Sequence, residues 1–414
     1  MKPRGGAAIH PGGAPLVFLF RRRNDILNFA DQNLHATLLE NVRAQGYTTP
    51  TPIQAAAIPP ALEGRDVIGL AQTGTGKTAA FVLPILQRLM TSKGSGTRCL
   101  IVTPTRELAE QIHDTILALG KGTGLRSATV YGGVGMDQQE RALRSGADII
   151  VACPGRLLDH IDRGYAKLSR LEVLVLDEAD RMLDMGFLPA IKRILAHLPA
   201  KRQTLLFSAT MPTEIKSLAT NTTQRAATIQ IGTVVPASTV AHAIYPVAQH
   251  LKTALLLELL TRTDTGSVLV FTRTKHRASR LAEQLARSGY KVAALHSNKS
   301  QNQRQAALDG FRDGSFHVLV ATDIAARGID VARVSHVITY DSPDTTDAYI
   351  HRIGRTGRAE RSGDAFTMTT DEDVPTVRAI ERVLGQPLER RTLDGFDYSA
   401  PAPAHQPNGG RPAR

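Results

Sequence analysis

The sequence predicts an α/β fold with two tandem domains, each a mainly parallel β-sheet covered by helices on both faces. The first observation is that short apolar runs alternate with segments of helical spacing, such as 106–120. Continuous apolar runs are typical of strands that are buried on both faces of a parallel sheet. The second observation is a small, polar, proline-containing stretch, 231–242, after which the alternation starts again. This break predicts a linker between two domains.

The apolar runs predict five strands in the first domain and four in the second. They are residues 66–71, 98–104, 147–154, 171–178 and 203–210, then 267–272, 291–296, 316–322 and 335–341. We set the first domain at 25–232, the linker at 233–242 and the second domain at 243–393. We expect residues 1–24, which carry basic but no acidic side chains, to form a disordered basic leader. We expect residues 394–414 to form a disordered tail because of their Pro, Ala and Gly content.

The charge balance favours a polyanionic partner. The chain has 414 residues, and its 50 basic against 38 acidic side chains give a net charge of +12. Nucleic acid is the simplest partner, although many soluble proteins are equally basic. Cys99 and Cys153 lack disulfide or metal-ligand spacing, which indicates a reducing, intracellular setting. The apolar run 14–20 is too short to span a bilayer, so we expect a cytoplasmic protein without a membrane partner.

A phosphate-binding loop is predicted at "AQTGTGKT" (71–78), between a strand and an apolar helix. Glycines at 74 and 76 allow backbone N–H groups to converge on phosphate oxygens. Lys77 would reach the β- and γ-phosphates, and the Thr78 hydroxyl would bind Mg²⁺. The usual first glycine of the pattern is replaced by Ala71. The expected nucleotide-binding residues of this loop are Ala71, Gln72, Thr73, Gly74, Thr75, Gly76, Lys77 and Thr78.

An acidic cluster follows the apolar run at 171–176. Asp177 ends the predicted strand, as expected for a carboxylate that holds Mg²⁺ through water opposite a phosphate loop. Glu178 is then placed to orient or deprotonate the attacking water. The alternative is a solvated acidic helix start, because carboxylates also suit a helix N-terminus. The phosphate loop upstream favours the catalytic interpretation.

With "DEAD" at 177–180, the chain resembles the DEAD-box ATP-dependent RNA helicases from about Phe29 to about Leu393. The resemblance implies two tandem RecA-like domains, with ATP and Mg²⁺ as cofactors. The stretch "GYTTPTPIQ" (46–54) resembles the adenine-reading motif of the family. By that resemblance Gln54 reads the adenine edge, Phe29 stacks on the ring, and Tyr47 also contacts the nucleotide.

The resemblance also implies the RNA contacts. "PTRELA" (104–109), "YGG" (131–133) and "CPGRL" (153–157) match the RNA-contact motifs of the first domain. Cys153 stands where the family usually has threonine, which leaves open one hydroxyl contact to phosphate. The implied RNA-binding residues are Pro104, Thr105, Arg106, Gly133, Pro154, Gly155 and Arg156, with Arg273 and Thr322 from the second domain.

The motifs of the second domain follow in family order at 268–275, 301–304, 321–330 and 351–358. They imply nucleotide contacts from Gly328 and Asp330. In "HRIGRTGR" the basic residues 352, 355 and 358 share a face at helical spacing, which alone is also typical of a solvated basic helix. By the resemblance, Arg355 and Arg358 act as arginine fingers on the γ-phosphate. The implied interdomain coupling residues are Asp180, Ser208, Thr210 and His351.

The sequence therefore predicts an ATP-dependent RNA helicase that opens short duplexes locally, grips the RNA backbone without reading bases, and acts as a monomer. Alternatives are an RNA-stimulated ATPase that remodels RNA–protein complexes, an ATP-gated RNA clamp or annealing protein, and a DNA helicase. Lys77, Glu178 and Arg355 argue against a clamp that does not hydrolyse ATP. The stretches 183–189 and 296–301 resemble the bacterial RhlE-like subgroup. Ribosome-assembly or RNA-decay proteins are the expected protein partners.

Overall fold

The computed structural model divides the chain into two compact units, residues 1–232 and 233–414. It describes the backbone of 17–18 and residues 28–72, 74–92, 94–231, 240–262, 266–326, 334–354, 356 and 363–402, except the side chains of 324, 326, 347 and 351. Several predicted features lie outside these described residues: most of the leader 1–24, Thr73, linker residues 233–239, Gly328, Asp330, the His351 side chain, Arg355, Arg358 and the tail from 403.

Among the residues that the structure describes, the first unit contains a parallel sheet of eight strands. In chain order they are β1 (Val17–Phe18), β2 (Val67–Leu70), β3 (Cys99–Val102), β4 (Ser127–Val130), β5 (Ile149–Ala152), β6 (Val173–Leu176), β7 (Gln203–Ser208) and β8 (Ala227–Gln230). Across the sheet their order is β1-β8-β2-β7-β6-β3-β5-β4. Every adjacent pair is parallel.

Helices cover both faces of this sheet. A 3₁₀ turn at Phe29–Gln32 precedes α1 (Ala36–Ala44), α2 (Pro52–Leu62), α3 (Lys77–Thr91), α4 (Arg106–Leu119), α5 (Met136–Arg144), α6 (Pro154–Asp162), α7 (Ala179–Asp184), α8 (Leu188–Ala196) and α9 (Thr213–Thr222). Alternate residues of the central strands enter two separate cores. Ile101 and Val175 pack with α1 to α4, whereas Leu100 and Leu174 pack with α6 to α9. Burial on both faces explains why these strands are apolar throughout.

The second unit repeats this architecture. Its strands are β9 (Val240–Pro246), β10 (Val268–Thr272), β11 (Val292–Leu295), β12 (Val318–Thr322), β13 (His336–Thr339), β14 (Gly363–Thr369) and β15 (Glu389–Arg390). Their order is β11-β12-β10-β13-β14-β9-β15, again with parallel pairing. The helices are α10 (Lys252–Arg262), α11 (Lys275–Arg287), α12 (Gln301–Arg312), α13 (Asp323–Ala326), α14 (Thr346–Ile353) and α15 (Val374–Leu384). The predicted fold class is confirmed.

The apolar runs did not reveal β4, β8, β9, β14 and β15. β4 and β8 alternate buried with more exposed residues, so they lack the continuous apolar texture of the central strands. β15 has two exposed residues and pairs with β9 at Ala243 and Ile244. Strands near a sheet edge bury less surface, and their sequences are correspondingly less distinctive. Among the helices that the structure describes, none is long and apolar enough to cross a bilayer.

Three expected boundaries differ from the structure. Within the leader, residues 17–18 form a strand at the edge of the sheet, because their backbone groups pair with β8. Linker residues 240–242 belong to β9, which pairs with β14 along its whole length. The tail does not become disordered at 394: Phe396 and Tyr398 pack against the core of the second unit, and the Tyr398 hydroxyl accepts the Leu393 N–H at 2.9 Å. The composition of the tail as a whole concealed these two aromatic anchors.

We expect a chain that ends after Leu393 to be less stable than one that ends after Ala402. The shorter chain loses the half-buried Phe396 and Tyr398, and apolar truncations of this kind cost roughly 1–3 kcal/mol. Urea unfolding of the second unit should show a lower midpoint for the shorter chain, while the longer chain should match the full protein. Equal midpoints for both truncations would mean that residues 394–402 contribute nothing to the fold.

Candidate active site

The register of the first sheet brings six predicted motifs to one edge. Leu70 pairs with Ser208, Leu206 with Leu176, and Leu176 with Val102. Ala152 of β5 pairs with Val102 of β3 on one side and with Val130 of β4 on the other. The segments that follow β2, β7, β6, β3, β5 and β4 therefore lie side by side at the carboxyl ends of the strands. Ligands of open parallel α/β sheets bind at this edge.

The phosphate loop connects β2 to α3 through two glycines in the left-handed region, Gly74 at φ 85° and Gly76 at φ 90°. Lys77 opens α3, and only 6% of it is exposed. Its ammonium group donates to the Ala71 carbonyl at 2.9 Å, so the side chain folds back over the loop. Thr78, which is half-buried, follows in the first turn of the helix. This is the geometry of a phosphate cradle at a helix N-terminus.

Gln54 is joined to the phosphate loop directly. Its carboxamide nitrogen donates to the Gly76 carbonyl at 3.1 Å, and its oxygen accepts the Thr51 N–H at 2.9 Å. A Cβ added at Gly76 would approach the Gln54 nitrogen to 2.5 Å, so only glycine allows this contact. A carboxamide has two N–H donors and two acceptor positions, so each group retains capacity for a ligand.

Phe29 and Tyr47 form a stacked pair, with ring centroids 6.4 Å apart and planes inclined by 26°. They differ in access, because Phe29 is 4% exposed and Tyr47 is 37% exposed. Phe29 belongs to the core that also holds Ile53 and Phe81. Tyr47 therefore offers a base the larger accessible ring surface. Both residues remain predicted adenine contacts.

Asp177 is a buried carboxylate at the end of β6, with 2% exposure. Burial raises its pKa to about 7, and the neighbouring Glu178 charge adds to this rise, whereas Lys77 opposes it. One of its oxygens accepts the Glu178 N–H at 3.0 Å. Its N–H donates to the Val102 carbonyl at 2.9 Å, which fixes the end of β6 against the end of β3.

Glu178 has a left-handed backbone, with φ 52° and ψ 53°. Such a conformation costs a non-glycine residue of order 1–3 kcal/mol and is found preferentially at functional sites. Its carboxylate forms an ion pair with Arg181 at 2.8 Å, and both side chains are almost completely buried. The sequence reasoning missed Arg181, although its position three residues after Glu178 on a helix start was a usable signal.

Asp180 ties the acidic turn to the segment after β7. One carboxylate oxygen accepts the N–H groups of Ala209 and Thr210 at 3.1 and 2.8 Å and the Thr210 hydroxyl at 3.0 Å. The Asp180 N–H donates to the Ser208 hydroxyl at 3.1 Å. The structure thus brings together the three predicted coupling residues of the first unit, Asp180, Ser208 and Thr210.

The three predicted RNA-contact motifs of the first unit also meet. The Arg106 guanidinium lies against Gly133, where an added Cβ would collide with it. Arg156 reaches the same loop and donates to the Val134 carbonyl at 3.0 Å. Thr105 caps α4 by accepting the Leu108 N–H at 3.4 Å. Of the other predicted contacts here, Pro104 and Pro154 are buried and Gly155 is exposed.

Cys153 occupies the N-cap position of α6, and its side chain forms no capping hydrogen bond. Burial raises the pKa of its thiol to about 12, so the group stays protonated. A neutral, poorly accessible thiol is a weak partner for phosphate. The predicted RNA contact of this motif would therefore use its backbone and Arg156.

In the second unit, Arg352 is buried and hydrogen-bonded within the fold. Its guanidinium, 2% exposed, forms two hydrogen bonds of 2.6 Å with Asp323 and one of 2.6 Å with the Asp341 carbonyl. Arg352 is therefore a structural cation, not a member of a solvated face. Sequence spacing could not reveal this, because Asp323 is distant in the chain. Thr322 is half-buried at the end of β12, and Arg273 is exposed beside Asp344.

The site fits a nucleotide and a divalent cation. The glycine loop and Lys77 suit phosphates, and the raised pKa of Asp177 reflects a buried carboxylate whose charge is incompletely balanced. Magnesium usually binds through one or two carboxylates together with substrate phosphates and water. Asp177 and Thr78 have the chemistry that this ion requires.

Comparison with known proteins agrees with this geometry. Residues 51–218 match the DEAD/DEAH box helicase family, and residues 251–360 match the helicase conserved C-terminal domain. The ATP-dependent rRNA helicase RRP3 of Saccharomyces cerevisiae (strain YJM789) is 44% identical over 374 residues, 89% of this chain and 74% of the relative. The DEAD-box ATP-dependent RNA helicase CshA of Geobacillus kaustophilus is 40% identical over 370 residues, 88% of this chain and 79% of the relative.

A solved structure of S. cerevisiae Dbp5 bound to RNA and ADP BeF3 is 32% identical, with a TM-score of 0.81, and covers 88% of this chain and 95% of that chain. The fold and the site together define a nucleotide-binding protein with two tandem RecA-like domains. The comparisons and the motifs agree on its kind. The chain belongs to the DEAD-box family of ATP-dependent RNA helicases.

We expect Asp177→Asn to stabilise the nucleotide-free first unit in a pH-dependent way. The folded pKa of about 7 exceeds the usual value for aspartate, so the parent loses stability as the pH rises from about 4 towards 7. The amide has no such loss. The variant should match the parent near pH 4 and be more stable near pH 8 by up to about 4 kcal/mol, the linkage value for a pKa that rises from about 4 to about 7, or roughly 8–16 °C in unfolding temperature.

Thermal unfolding without Mg²⁺ measures this difference. Asp114→Asn, at an exposed position on α4, is the matched control and should show no gain. A gain of equal size at both pH values would show that Asp177 is not held at a raised pKa.

Proposed function

We propose that this protein hydrolyses ATP in an RNA-stimulated cycle that unwinds short RNA duplexes locally or remodels RNA–protein complexes. The observation that carries this proposal is the continuous row at the edge of the first sheet. The phosphate loop, the acidic turn and the cluster of Arg106, Gly133 and Arg156 follow β2, β6, β3, β4 and β5. The segment after β7, the sixth strand of this row, lies between the phosphate loop and the acidic turn. A change on the RNA side of this row can therefore reach the hydrolytic side through short, buried connections.

On the nucleotide side, Lys77 offers a positive charge to the β- and γ-phosphates. Thr78 and, through water, Asp177 would hold Mg²⁺, which when bound neutralises charge on the phosphate oxygens. Glu178 serves as the group that orients the attacking water and accepts its proton. The Glu178 carboxylate is held by Arg181 in a buried ion pair, and this pair has to rearrange if the carboxylate is to face water.

Adenine recognition is assigned to Gln54, with Phe29 and Tyr47 beside it. The carboxamide of Gln54 already touches the phosphate loop at Gly76. Pairing of the Gln54 carboxamide with the adenine edge would therefore couple recognition of the base to the position of the phosphate loop. Replacement of Gln54 by Ala should weaken ATP more than a pyrimidine triphosphate, and equal losses in a binding titration would refute the assignment.

RNA is held through its backbone. The proposed donors are backbone N–H groups, hydroxyls and guanidinium groups of Thr105, Arg106, Gly133, Gly155 and Arg156 in the first unit and of Arg273 and Thr322 in the second. Pro104 and Pro154, which have no N–H, are proposed to contact the RNA through their rings. Such contacts go to phosphates and sugars, so affinity should fall with salt and depend little on base sequence. Contacts to the 2′-hydroxyl allow a preference for RNA over DNA. Competition between RNA and DNA of one sequence tests this preference.

The second unit is proposed to complete the ATP site. Arg355 and Arg358 act as arginine fingers, Gly328 and Asp330 contact the nucleotide, and His351 takes part in coupling. Arg352 supports this arrangement from within the second unit, because it anchors the end of α14 to Asp323. The position of the end of α14 is therefore fixed by these hydrogen bonds.

Assignment to the bacterial RhlE-like subgroup, a cytoplasmic location, a monomeric state and partners in ribosome assembly or RNA decay are further parts of the proposal. The stretches 183–189 and 296–301 support the subgroup, and the rRNA helicase among the relatives supports a ribosomal role. Crosslinking to RNA in the source cell, with sequencing, tests the process. Cell fractionation and analytical ultracentrifugation test the location and the monomer.

Glu178→Gln should retain ATP binding and lose turnover. The amide cannot accept a proton from water, whereas Asp177 and Lys77 still serve the phosphates and the metal. Loss of general base catalysis typically reduces kcat by about 10²–10⁴-fold. Steady-state hydrolysis with saturating RNA and equilibrium ATP binding are the two measurements. Glu214→Gln, at an exposed position on α9, should behave as the parent; an unchanged kcat in Glu178→Gln would refute the catalytic role.

Arg355→Ala should reduce RNA-stimulated turnover by about 10³-fold, the scale on which arginine fingers act. Turnover without RNA should fall by a smaller factor, because the finger acts only when RNA brings the units into their active arrangement. Arg382→Ala removes an exposed arginine from α15 and provides the control. If stimulated and unstimulated rates fell equally, Arg355 would be a residue for folding or nucleotide affinity.

A further inference from the structure

A crevice of about 380 Å³ lies within the second unit, between the beginnings of α10 and α11, and the proposed function does not use it. Its lining includes the side chains of Thr253, Thr274, His276, Arg277, Arg280 and Gln284. None of the described residues that line it carries a carboxylate. The crevice thus combines positive charge with hydroxyl and carboxamide groups.

The positive charge continues along α11 as an exposed row. Arg277, Arg280, Gln284 and Arg287 follow one another at intervals of three or four residues and are all exposed. The opposite side of the helix is buried through Ala278, Leu281 and Leu285. At about 1.5 Å per residue, the row from 277 to 287 is about 15 Å long. Its first three members line the crevice, and Arg287 continues the row beyond it. We call this set, with the crevice, the α11 groove.

The α11 groove begins next to a residue assigned to RNA. Asp341 accepts the backbone N–H of Arg273 at 2.9 Å with one carboxylate oxygen and the Arg277 guanidinium with the other. The side chains of Arg273 and Arg277 are 54% and 43% exposed. Thr322, the other assigned RNA contact of this unit, pairs with Thr272 at the adjacent strand end. Assigned contacts and groove therefore form one surface within the unit.

The chemistry of the groove selects a polyanion over a protein. Guanidinium groups bind phosphate through paired N–H donors, and hydroxyl and carboxamide groups suit the 2′-hydroxyl of ribose. Stable protein interfaces instead need apolar anchors at their centre. The large apolar side chains that the described residues expose are Tyr47, Leu117, Val134, Val374 and Val383, and none of them lies on α10 or α11.

We propose that the α11 groove binds the backbone of RNA nucleotides that lie beyond the segment held by Arg273 and Thr322. This inference rests on the proposed RNA-binding function and extends it. The groove lengthens the contact with single-stranded RNA on the second unit. A longer strand is then held more tightly than a short one, without any recognition of its bases.

The test measures binding of the full chain to single-stranded RNAs of one repeated base and increasing length. The parent should gain affinity with length. Arg280→Glu should reduce affinity for the long RNA about tenfold, reduce the salt dependence by about one phosphate contact, and leave the short RNA unaffected. Arg280→Gln should give a smaller loss of the same kind. Matching thermal unfolding midpoints establish that both variants are folded.

Arg382→Glu is the matched control, because it places the same charge change at an exposed position on α15. If Arg280→Glu and Arg382→Glu reduced affinity equally at every length, overall charge would explain the loss and the proposal would be overturned. It would also be overturned if Arg280→Glu left long RNA binding unchanged, the result expected if the groove holds a different anion or an acidic protein. A parent without RNA-stimulated hydrolysis would refute the proposed function itself, whatever the result at Arg280.

Discussion

The active site depends on the hydrogen bonds that the Asp180 carboxylate accepts. This carboxylate accepts two backbone N–H groups and a hydroxyl from Ala209 and Thr210, and the Asp180 N–H binds the Ser208 hydroxyl. Hydrogen bonds to a charged group contribute about 1.5–3 kcal/mol each, more than neutral ones. The acidic turn after β6 therefore cannot move independently of the segment after β7. β7 also pairs with β2, the strand that leads into the phosphate loop. A displacement of the segment after β7 therefore also shifts the phosphate loop.

The three carboxylates of the acidic turn have different partners, and this difference separates their roles. Asp180 is satisfied by N–H and O–H donors, and Glu178 is satisfied by Arg181. Asp177 lacks comparable compensation, so burial raises its pKa to about 7. A buried carboxylate in this state is destabilising until a cation arrives. The left-handed backbone at Glu178 adds a further local cost. Asp177 and Glu178, the two residues proposed to bind the metal and the attacking water, therefore both lower the stability of the fold.

Two buried cations, Arg352 and Lys252, connect elements of the second unit. Arg352 joins the end of α14 to Asp323 and to the Asp341 carbonyl. Lys252 donates to the carbonyls of Tyr340 and Met368 at 3.1 and 3.4 Å, and burial lowers its pKa. Arg352 therefore joins α14 to the segments that follow β12 and β13, and Lys252 joins the end of β13 to its neighbour β14. Removal of either would leave buried acceptors without a donor, which costs more than the net value of one hydrogen bond.

The sequence by itself determined the α/β class, the central strands, the phosphate loop and the family, because these depend on local texture and on short motifs that keep their meaning out of context. It could not place β4, β8 or β15, whose residues are stabilised by neighbours distant in the chain and not by their own apolarity. Only the tertiary structure decided that Arg181 neutralises Glu178, that Arg352 is a buried anchor, and that Phe396 holds the tail to the second core. These outcomes depend on which strand ends become neighbours. That information lies in the register and order of the sheets, which spacing along one chain does not encode.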